Sequence, residues 1–236
     1  MAELIHKSFG IHYHPNHLWR LLMGLGWSCQ RPERRARERN EEEIECWKKK
    51  QWPVIKKAIA LGAHLAFLDE SGFLLIPNVC RTWAPRGQTP ILHHFYRRDR
   101  ISAISSLTVS SKRRHLRLYF RFQGKNFKTF DVGEFLQHLR AHVVLLWDKA
   151  LIHRGKPVRD LLDRYPRLHV EWFPGYAPEL NPVEFVWTQA KRRLANSSPE
   201  GAKELKRMLC ATTRRLQHSQ RLLWSCIWAS ELPWER

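Results

Sequence analysis

The sequence of 236 residues lacks any apolar run of the ~18 residues that a membrane-spanning helix requires. Its beginning, MAELIHKSFGIHYHP, also lacks the apolar stretch of a secretory signal peptide. These two absences argue against an integral membrane protein and against a secreted one. We therefore expect an intracellular protein.

Cysteine is scarce, with five residues and no pair at C-x-x-C spacing. This pattern argues against a disulfide framework and against a zinc finger. His138 and His142 lie four positions apart on a predicted helix, a spacing that suits two metal ligands. No third ligand accompanies them, so we interpret them as ordinary core or surface histidines.

Negative charge is also scarce, because 22 acidic residues face 41 Lys and Arg, which gives a formal net charge of +19. Residues 91–130 carry ten Lys and Arg but only one acid, Asp99. Such an excess favours a polyanionic partner, most often nucleic acid. An anionic membrane surface is a weaker alternative, since no basic helix has a clean apolar face. A general RNA-binding protein is a third interpretation.

Hydrophobic residues make up 43% of the chain, enough to build a core. Three segments differ in character. Residues 1–35 contain two predicted helices that fit the end of a helix-turn-helix, with a plain helical hairpin as the alternative. Residues 36–63 form a charged connector and a helix that begins after Asn40. Residues 64–236 alternate predicted strands and helices, which indicates an α/β domain with a helical tail.

Two acids follow apolar runs in this third segment. Asp69 ends HLAFLD and Asp148 ends VVLLWD, so each carboxylate is expected at the carboxyl end of a buried strand. Sites in open α/β sheets form at that edge, and neighbouring strands lie ~4.8 Å apart. If the two strands are adjacent and parallel, the two carboxylates can share a cation. A turn or helix cap is the alternative for either one alone.

Glu184 is the third candidate acid. Asn181, Pro182 and Glu184 fit the cap, first and third positions of a predicted helix. Glu at this position is also what a capping box uses, so the local sequence leaves both roles open. Three carboxylates suit phosphodiester cleavage, where two divalent ions ~3.5–4 Å apart activate the attacking oxygen and stabilise the leaving oxygen. Mg²⁺ prefers such hard oxygen ligands.

Four segments together resemble the DDE transposases of the mariner superfamily, in the branch found in bacterial insertion sequences. They are FLDESGF (67–73), RTWAPRGQTP (81–90), LLWDKALIHRG (145–155) and WFPGYAPELNPVEFVW (172–187). The resemblance extends from about residue 10 to about residue 205. The 35 residues between Asp148 and Glu184 fall within the spacing that this group uses.

The resemblance implies an RNase H-like fold of the retroviral-integrase superfamily, a mixed five-stranded sheet flanked by helices, here with a short N-terminal partial helix-turn-helix. It implies that Asp69, Asp148 and Glu184 are catalytic and bind Mg²⁺ or Mn²⁺ as two ions. The implied activity is hydrolysis at transposon ends followed by strand transfer into target DNA. A homodimer acting on double-stranded DNA in the bacterial cytoplasm is also implied.

Further side chains are candidates for supporting roles. Strand alternation points Glu70 to the face opposite Asp69. His153 and Asn181 are candidates for positioning the acids, with a purely structural role as the alternative. Six basic residues are candidates for DNA contacts, with solvated surface as the alternative: Arg20, Arg34, Arg35, Lys149, Lys191 and Arg192. Trp83, Trp172 and Trp187 are predicted to lie in the core.

The N-terminal segment is shorter than the paired helix-turn-helix region of the family that the chain resembles. We therefore expect an N-terminally truncated chain. This expectation gives an alternative function, a non-catalytic DNA-binding remnant that modulates an intact transposase. Binding without metal-dependent cleavage would distinguish this alternative from an active enzyme.

Overall fold

The computed structural model describes residues 1–30, 35–95, 99–112, 115–139 and 141–234. The chain divides into two compact units, Met1–Arg37 and Glu38–Arg236. No helix in the described ranges is both long enough and apolar enough to cross a membrane.

The first unit contains helices α1 (Ala2–Phe9) and α2 (Pro15–Gly24). Helix α1 ends at Gly10, whose φ of 69° is left-handed and favours glycine. Helix α2 begins with Pro15, as predicted, because proline lacks the N–H that has no partner in the first turn. Leu18 is the buried residue of α2.

The second unit is built on a mixed five-stranded sheet. Its strands are β1 (His64–Leu74), β2 (Arg100–Val109), β3 (Leu116–Gln123), β4 (Val143–Trp147) and β5 (Leu168–Trp172). Their spatial order is β3-β2-β1-β4-β5. Strand β2 pairs antiparallel with both β1 and β3. Strand β4 pairs parallel with β1, and β5 pairs parallel with β4. This is the predicted mixed sheet, and β1 lies beside β4 at its centre.

Helices cover both faces of the sheet. They are α3 (Glu41–Ala60), α4 (Thr129–Leu136), α5 (Lys156–Arg164), α6 (Pro182–Arg193), α7 (Ala202–Gln217) and α8 (Gln220–Ala229). Alternation along β1 sends Phe67 into a core formed with α3, α6, α7 and α8. The same alternation sends Ala66 and Leu68 into a second core formed with α4 and α5. Two-sided burial explains why β1 and β4 read as continuous apolar runs.

Three sequence predictions were wrong. The strand predicted over residues 64–69 continues to Leu74, because it pairs with β2 along its whole length, so Asp69 lies in mid-strand rather than at a strand end. The predicted helix over residues 131–142 ends at Leu136, where the ring of His138 contacts the backbone oxygens of Glu134 and Phe135. A ring that bonds these terminal carbonyls stops the helix before His142. Trp83 was predicted in the core but is fully exposed, because it lies in the Pro-rich connection between β1 and β2. Trp187 is fully buried, as predicted.

Candidate active site

Asp69 lies within β1, and Asp148 directly follows the neighbouring parallel strand β4. The parallel register pairs Phe67 with Leu146, which stand two residues before Asp69 and Asp148. Because side chains alternate along a strand, both acids have the parity of Phe67 and Leu146, which face the core beneath α6. Alternation thus predicts both carboxylates on this face, and Asp148 itself lies one residue beyond the end of β4.

Glu184 is carried to this face by α6. Asn181 begins the helix by accepting the N–H of Val183 at 3.2 Å. The amide of Asn181 also donates to the backbone oxygen of Leu68 at 3.0 Å. This buried hydrogen bond ties the first turn of α6 to the residue that precedes Asp69, so one side chain sets the position of two acids.

The capping-box interpretation of Glu184 does not describe this helix start. The backbone N–H of Asn181 donates to the oxygen of Pro178 at 2.9 Å, rather than to the Glu184 carboxylate. Trp187, one turn after Glu184, is fully buried and packs edge-on against Phe73 with ring centroids 5.8 Å apart. Helix α6 is thus anchored in the core while Glu184 stays partly exposed.

The electrostatics of the three acids are coupled. Burial raises the pKa of Asp69 well above its usual range, and the nearby carboxylates of Glu184, Glu70 and Asp148 raise it further. Burial also raises the pKa of Glu184, while Lys191 lowers it and Asp148 raises it. Carboxylates that raise one another's pKa lie within electrostatic range of one another.

One carboxylate oxygen at this site lacks a hydrogen-bond partner among the described residues. Asp69 Oδ2 is buried and has no hydrogen-bond partner among the described residues. Ser105, which lies directly opposite Asp69 in the β1–β2 register, also has a buried hydroxyl without a partner there. A buried carboxylate oxygen that lacks a donor is costly to keep, and a cation would satisfy it. The residues present therefore fit a divalent metal.

The described residues do not form a preorganised metal-binding site. In the described ranges, no three His, Cys, Asp or Glu side chains are grouped closely enough to hold a metal ion. Three carboxylates repel one another when no cation lies between them.

His153 braces Asp148 from the other face of the sheet. Its Nδ1 lies 2.9 Å from Asp148 Oδ1, and its Nε2 lies 3.1 Å from both carboxylate oxygens of Glu70. The ring stacks on Trp147, with centroids 4.4 Å apart and planes within 4°. Glu70 thus points away from Asp69, as strand alternation predicted, and contacts the buried imidazole.

This brace changes the charge of its members. Burial lowers the pKa of His153, but hydrogen bonds to Asp148 and Glu70 outweigh burial and raise it to about 10. The hydrogen bond from His153 lowers the pKa of Asp148 against the opposing effect of burial. The backbone N–H of Ala150 also donates to Asp148 Oδ1 at 3.0 Å. Two donors therefore engage Oδ1 and leave Oδ2 for another ligand.

Comparisons with known proteins identify the family and the fold. Residues 64–206, well over half of the chain, match the family model of the DDE superfamily endonucleases. The chain belongs to this family. Residues 1–51 match a family model of a winged helix-turn-helix. No curated protein sequence matches the chain.

Solved structures show the same fold. The Mos1 transposase paired-end complex with left transposon end aligns with a TM-score of 0.66 and 16% identity, over 96% of this chain and 69% of that chain. The Mos1 strand transfer complex aligns with a TM-score of 0.64 and 16% identity, over 94% and 68%. The Mos1 mariner paired-end complex with Mn aligns with a TM-score of 0.63 and 16% identity, over 94% and 69%. At this identity the likeness concerns the fold, which is the RNase H-like sheet predicted from the sequence.

The predicted basic residues of this DDE family member occupy varied positions. Arg20, on α2, and Arg35 are exposed in the first unit, while Arg34 lies outside the described residues. Lys149 lies 3.5 Å from Glu43, so part of its charge is already paired. Lys191 lies 5.8 Å from the ring centroid of Phe73 and lowers the pKa of Glu184, and Arg192 is exposed on α6.

Sequence reasoning missed Arg39. Its guanidinium pairs with Glu41 and Glu179, each at 2.7 Å, and donates to the backbone oxygen of Tyr176 at 2.9 Å. Tyr176 has a left-handed φ of 55°, which is uncommon for a bulky residue. Arg39 therefore holds the strained loop that leads into Asn181. A basic connector gave no signal for this role, because its partner loop lies 137 residues away along the chain.

Proposed function

We propose that this DDE endonuclease is a transposase that cleaves DNA strands at transposon ends and transfers them into target DNA. The observation that supports the proposal is the buried Asp69 oxygen that lacks a donor among the described residues, beside the end of β4 that Asp148 follows and the helix start that Asn181 ties to β1. The protein belongs, in this proposal, to the bacterial insertion-sequence branch and acts in the bacterial cytoplasm.

Asp69, Asp148 and Glu184 would hold the divalent cations, Mg²⁺ or Mn²⁺ as two ions. When bound, such cations supply Lewis acidity at the attacking and leaving oxygens of a phosphodiester. The chain contributes the alignment of these ligands. Asn181 fixes the helix that carries Glu184, and His153 holds Oδ1 of Asp148 so that its other oxygen faces the site.

The reaction class has two displacements at phosphorus. In the first, water attacks the phosphodiester at a transposon end, and the bond to the leaving 3′ oxygen breaks to give a free 3′-hydroxyl. In the second, that hydroxyl attacks a target phosphodiester, and one P–O bond forms as another breaks. Lys191 and Arg192, on the helix that carries Glu184, are placed to hold strand phosphates beside the acids.

DNA selection is assigned to the first unit. The winged helix-turn-helix match over residues 1–51 supports a DNA-reading role for this segment, with Arg20 and Arg35 as candidate phosphate contacts. A homodimer would present two such modules to the two ends of an element. The partner in this proposal is double-stranded DNA.

The test is strand nicking of a supercoiled plasmid that carries the DNA flanking the gene. We expect nicking in Mg²⁺ or Mn²⁺, none in chelator, and none for Asp69→Asn, Asp148→Asn or Glu184→Gln. Asp163→Asn is the matched control, because Asp163 is an exposed acid on α5 away from the site. Full nicking by any of the three site variants would refute the assignment.

A further inference from the structure

A polar cavity lies at the end of the sheet where β1 begins, away from the acids. It has a volume of about 370 Å³ and is lined by the start of β1, the end of β2, the start of β3 and the segment after α4. His64 begins β1, and Asp69 follows five residues later. At ~3.3 Å per residue, roughly 16 Å separate His64 from Asp69 along the strand.

The register of the sheet assembles the floor of this cavity. Thr108 pairs with Arg117 across β2 and β3, and Thr108 also pairs with Ala66 on β1. Because His64 has the parity of Ala66, the side chains of His64, Thr108 and Arg117 share one face. It is the face covered by α4 and α5, opposite the one that presents Asp69.

The polar side chains that line the cavity are His64, Thr108, Ser110, His115, Arg117, Tyr119 and His138, and Leu139, Ala141 and Val143 complete its wall. Hydroxyls, imidazoles and guanidinium offer N–H or O–H groups, although the Thr108 hydroxyl already donates to the backbone oxygen of Arg117 at 3.3 Å. Among the described residues, no Asp or Glu lines the cavity. An anion that enters it therefore meets the positive charge of Arg117 without repulsion from a carboxylate.

Arg117 is the central group of the cavity. In the described part of the chain it has neither a hydrogen-bond partner for its side chain nor an ion-pair partner, and it is exposed. Arg121 lies four residues later on the same strand and face, and it is paired with Glu134 at 2.9 Å. The same strand thus carries one neutralised arginine and one that is free to bind.

His138 protects the cavity from the end of α4. Its Nδ1 lies 3.1 Å from the oxygen of Glu134 and 3.3 Å from the oxygen of Phe135. The terminal carbonyls of a helix carry partial negative charge and would repel an anion. Because the His138 ring contacts these oxygens, it offsets their partial negative charge beside the cavity.

We propose that this cavity binds a phosphate group, and that its ligand is a backbone phosphate of duplex DNA outside the bond that is cut. The planar guanidinium of Arg117 matches two phosphate oxygens, and the neighbouring hydroxyls and imidazoles supply further donors. The assignment to DNA, rather than to free phosphate, rests on the proposed function. The site would hold DNA at a second point, well separated from the acids.

The experiment measures duplex binding by the whole chain in chelator, where no cleavage occurs, by fluorescence anisotropy from ~50 to 200 mM salt. We expect Arg117→Ala to weaken binding and to make the slope of log affinity against log salt shallower by ~0.9, the value for one lost phosphate contact. Arg117→Lys should restore most of the slope. Arg159→Ala, which removes an exposed arginine of α5 outside the cavity, should leave the slope unchanged.

Inorganic phosphate provides the second arm. At constant ionic strength it should raise the Tm of the wild type and compete with duplex, and Arg117→Ala should abolish both effects. An unchanged slope in Arg117→Ala, or an equal change in Arg159→Ala, would overturn the proposal. A Tm response to phosphate with an unchanged DNA slope would mean a free-anion site and would overturn the DNA assignment. Failure of the wild type to nick DNA in Mg²⁺ would count against the proposed function alone, because the slope is measured without cleavage.

Discussion

The two ends of the central sheet have opposite chemistry. Near the carboxyl end of β4, Glu184 and Asp148 raise the pKa of Asp69, while the other end of the sheet presents Arg117 among histidines and hydroxyls. The acids are held by groups from distant parts of the chain, namely Asn181 and the Glu70–His153 brace.

The cationic edge needs no such brace, because it has one free guanidinium and its other donors do not repel it. The comparison teaches that like charges are assembled only where other elements fix them. A site of mixed donors is built here from strand register and the segment after α4 that carries His138. The predictions below test this difference, from the largest expected effect to the smallest.

Substitution of a site acid should distinguish the role of the acidic edge from that of the cationic edge most clearly. We expect Asp148→Asn to reduce nicking on the order of 10³-fold, a loss at least as large as that for one preorganised electrostatic group. Arg117→Ala should keep the rate at saturating DNA. Rate measurements at saturating plasmid check both values, and an equal loss of rate in the two variants would break the comparison.

Asp69→Asn carries a second expectation. The raised pKa of Asp69 means that its carboxyl is protonated more readily in the folded state than in the unfolded state. Its contribution to stability therefore falls as pH rises above the unfolded pKa. Without divalent metal, Asp69→Asn should raise the Tm at neutral pH while abolishing nicking. A lower Tm in chelator would contradict this assignment of repulsion to the site.

Packing beneath the acidic edge should matter more for stability than any contact at the cationic edge. Trp187 is fully buried below Glu184, so Trp187→Ala should lower the free energy of unfolding by about 3–5 kcal/mol. Arg117 is exposed, and its substitution should stay within about 0.5 kcal/mol. Denaturant unfolding followed by circular dichroism measures both, and comparable losses would show that the cationic edge is also braced.

The imidazole brace should act on metal binding. His153→Gln removes the link between Glu70 and Asp148, and loss of a group that orients a metal ligand weakens metal affinity by about 10–100-fold. Calorimetric titration with Mn²⁺ gives this value without reference to cleavage. Glu70→Gln should give a smaller effect in the same direction. Unchanged Mn²⁺ affinity in His153→Gln would mean that the ring only fills space.

Asn181 should show a modest effect on stability. Loss of its cap in Asn181→Ala should cost about 1 kcal/mol of unfolding free energy. Asn181→Asp keeps the cap oxygen but loses the donor to Leu68, so it separates the cap from the link to β1. If that link aligns Glu184, Asn181→Asp should retain most of the stability but nick more slowly. Nicking at the wild-type rate would show that the cap suffices.

The sequence predicted most of the strands and the location of the acids. Continuous apolar runs identified β1 and β4, and the acids that end these runs are Asp69 and Asp148, although β1 itself continues to Leu74. Pro15 and Asn40 predicted the starts of α2 and α3 correctly. These signals are local, because burial of a strand and capping of a helix are written in a few adjacent residues.

Other features were decided only by the tertiary structure. The end of α4 depended on the ring of His138, and the link from Asn181 to Leu68 spans 113 residues. The cavity around Arg117 depended on which strand faces which, since alternation alone leaves two faces equivalent. The sequence by itself thus determined which residue types end the apolar runs. Only the packed sheet decided which of them meet, because long-range hydrogen bonds and register have no local signature.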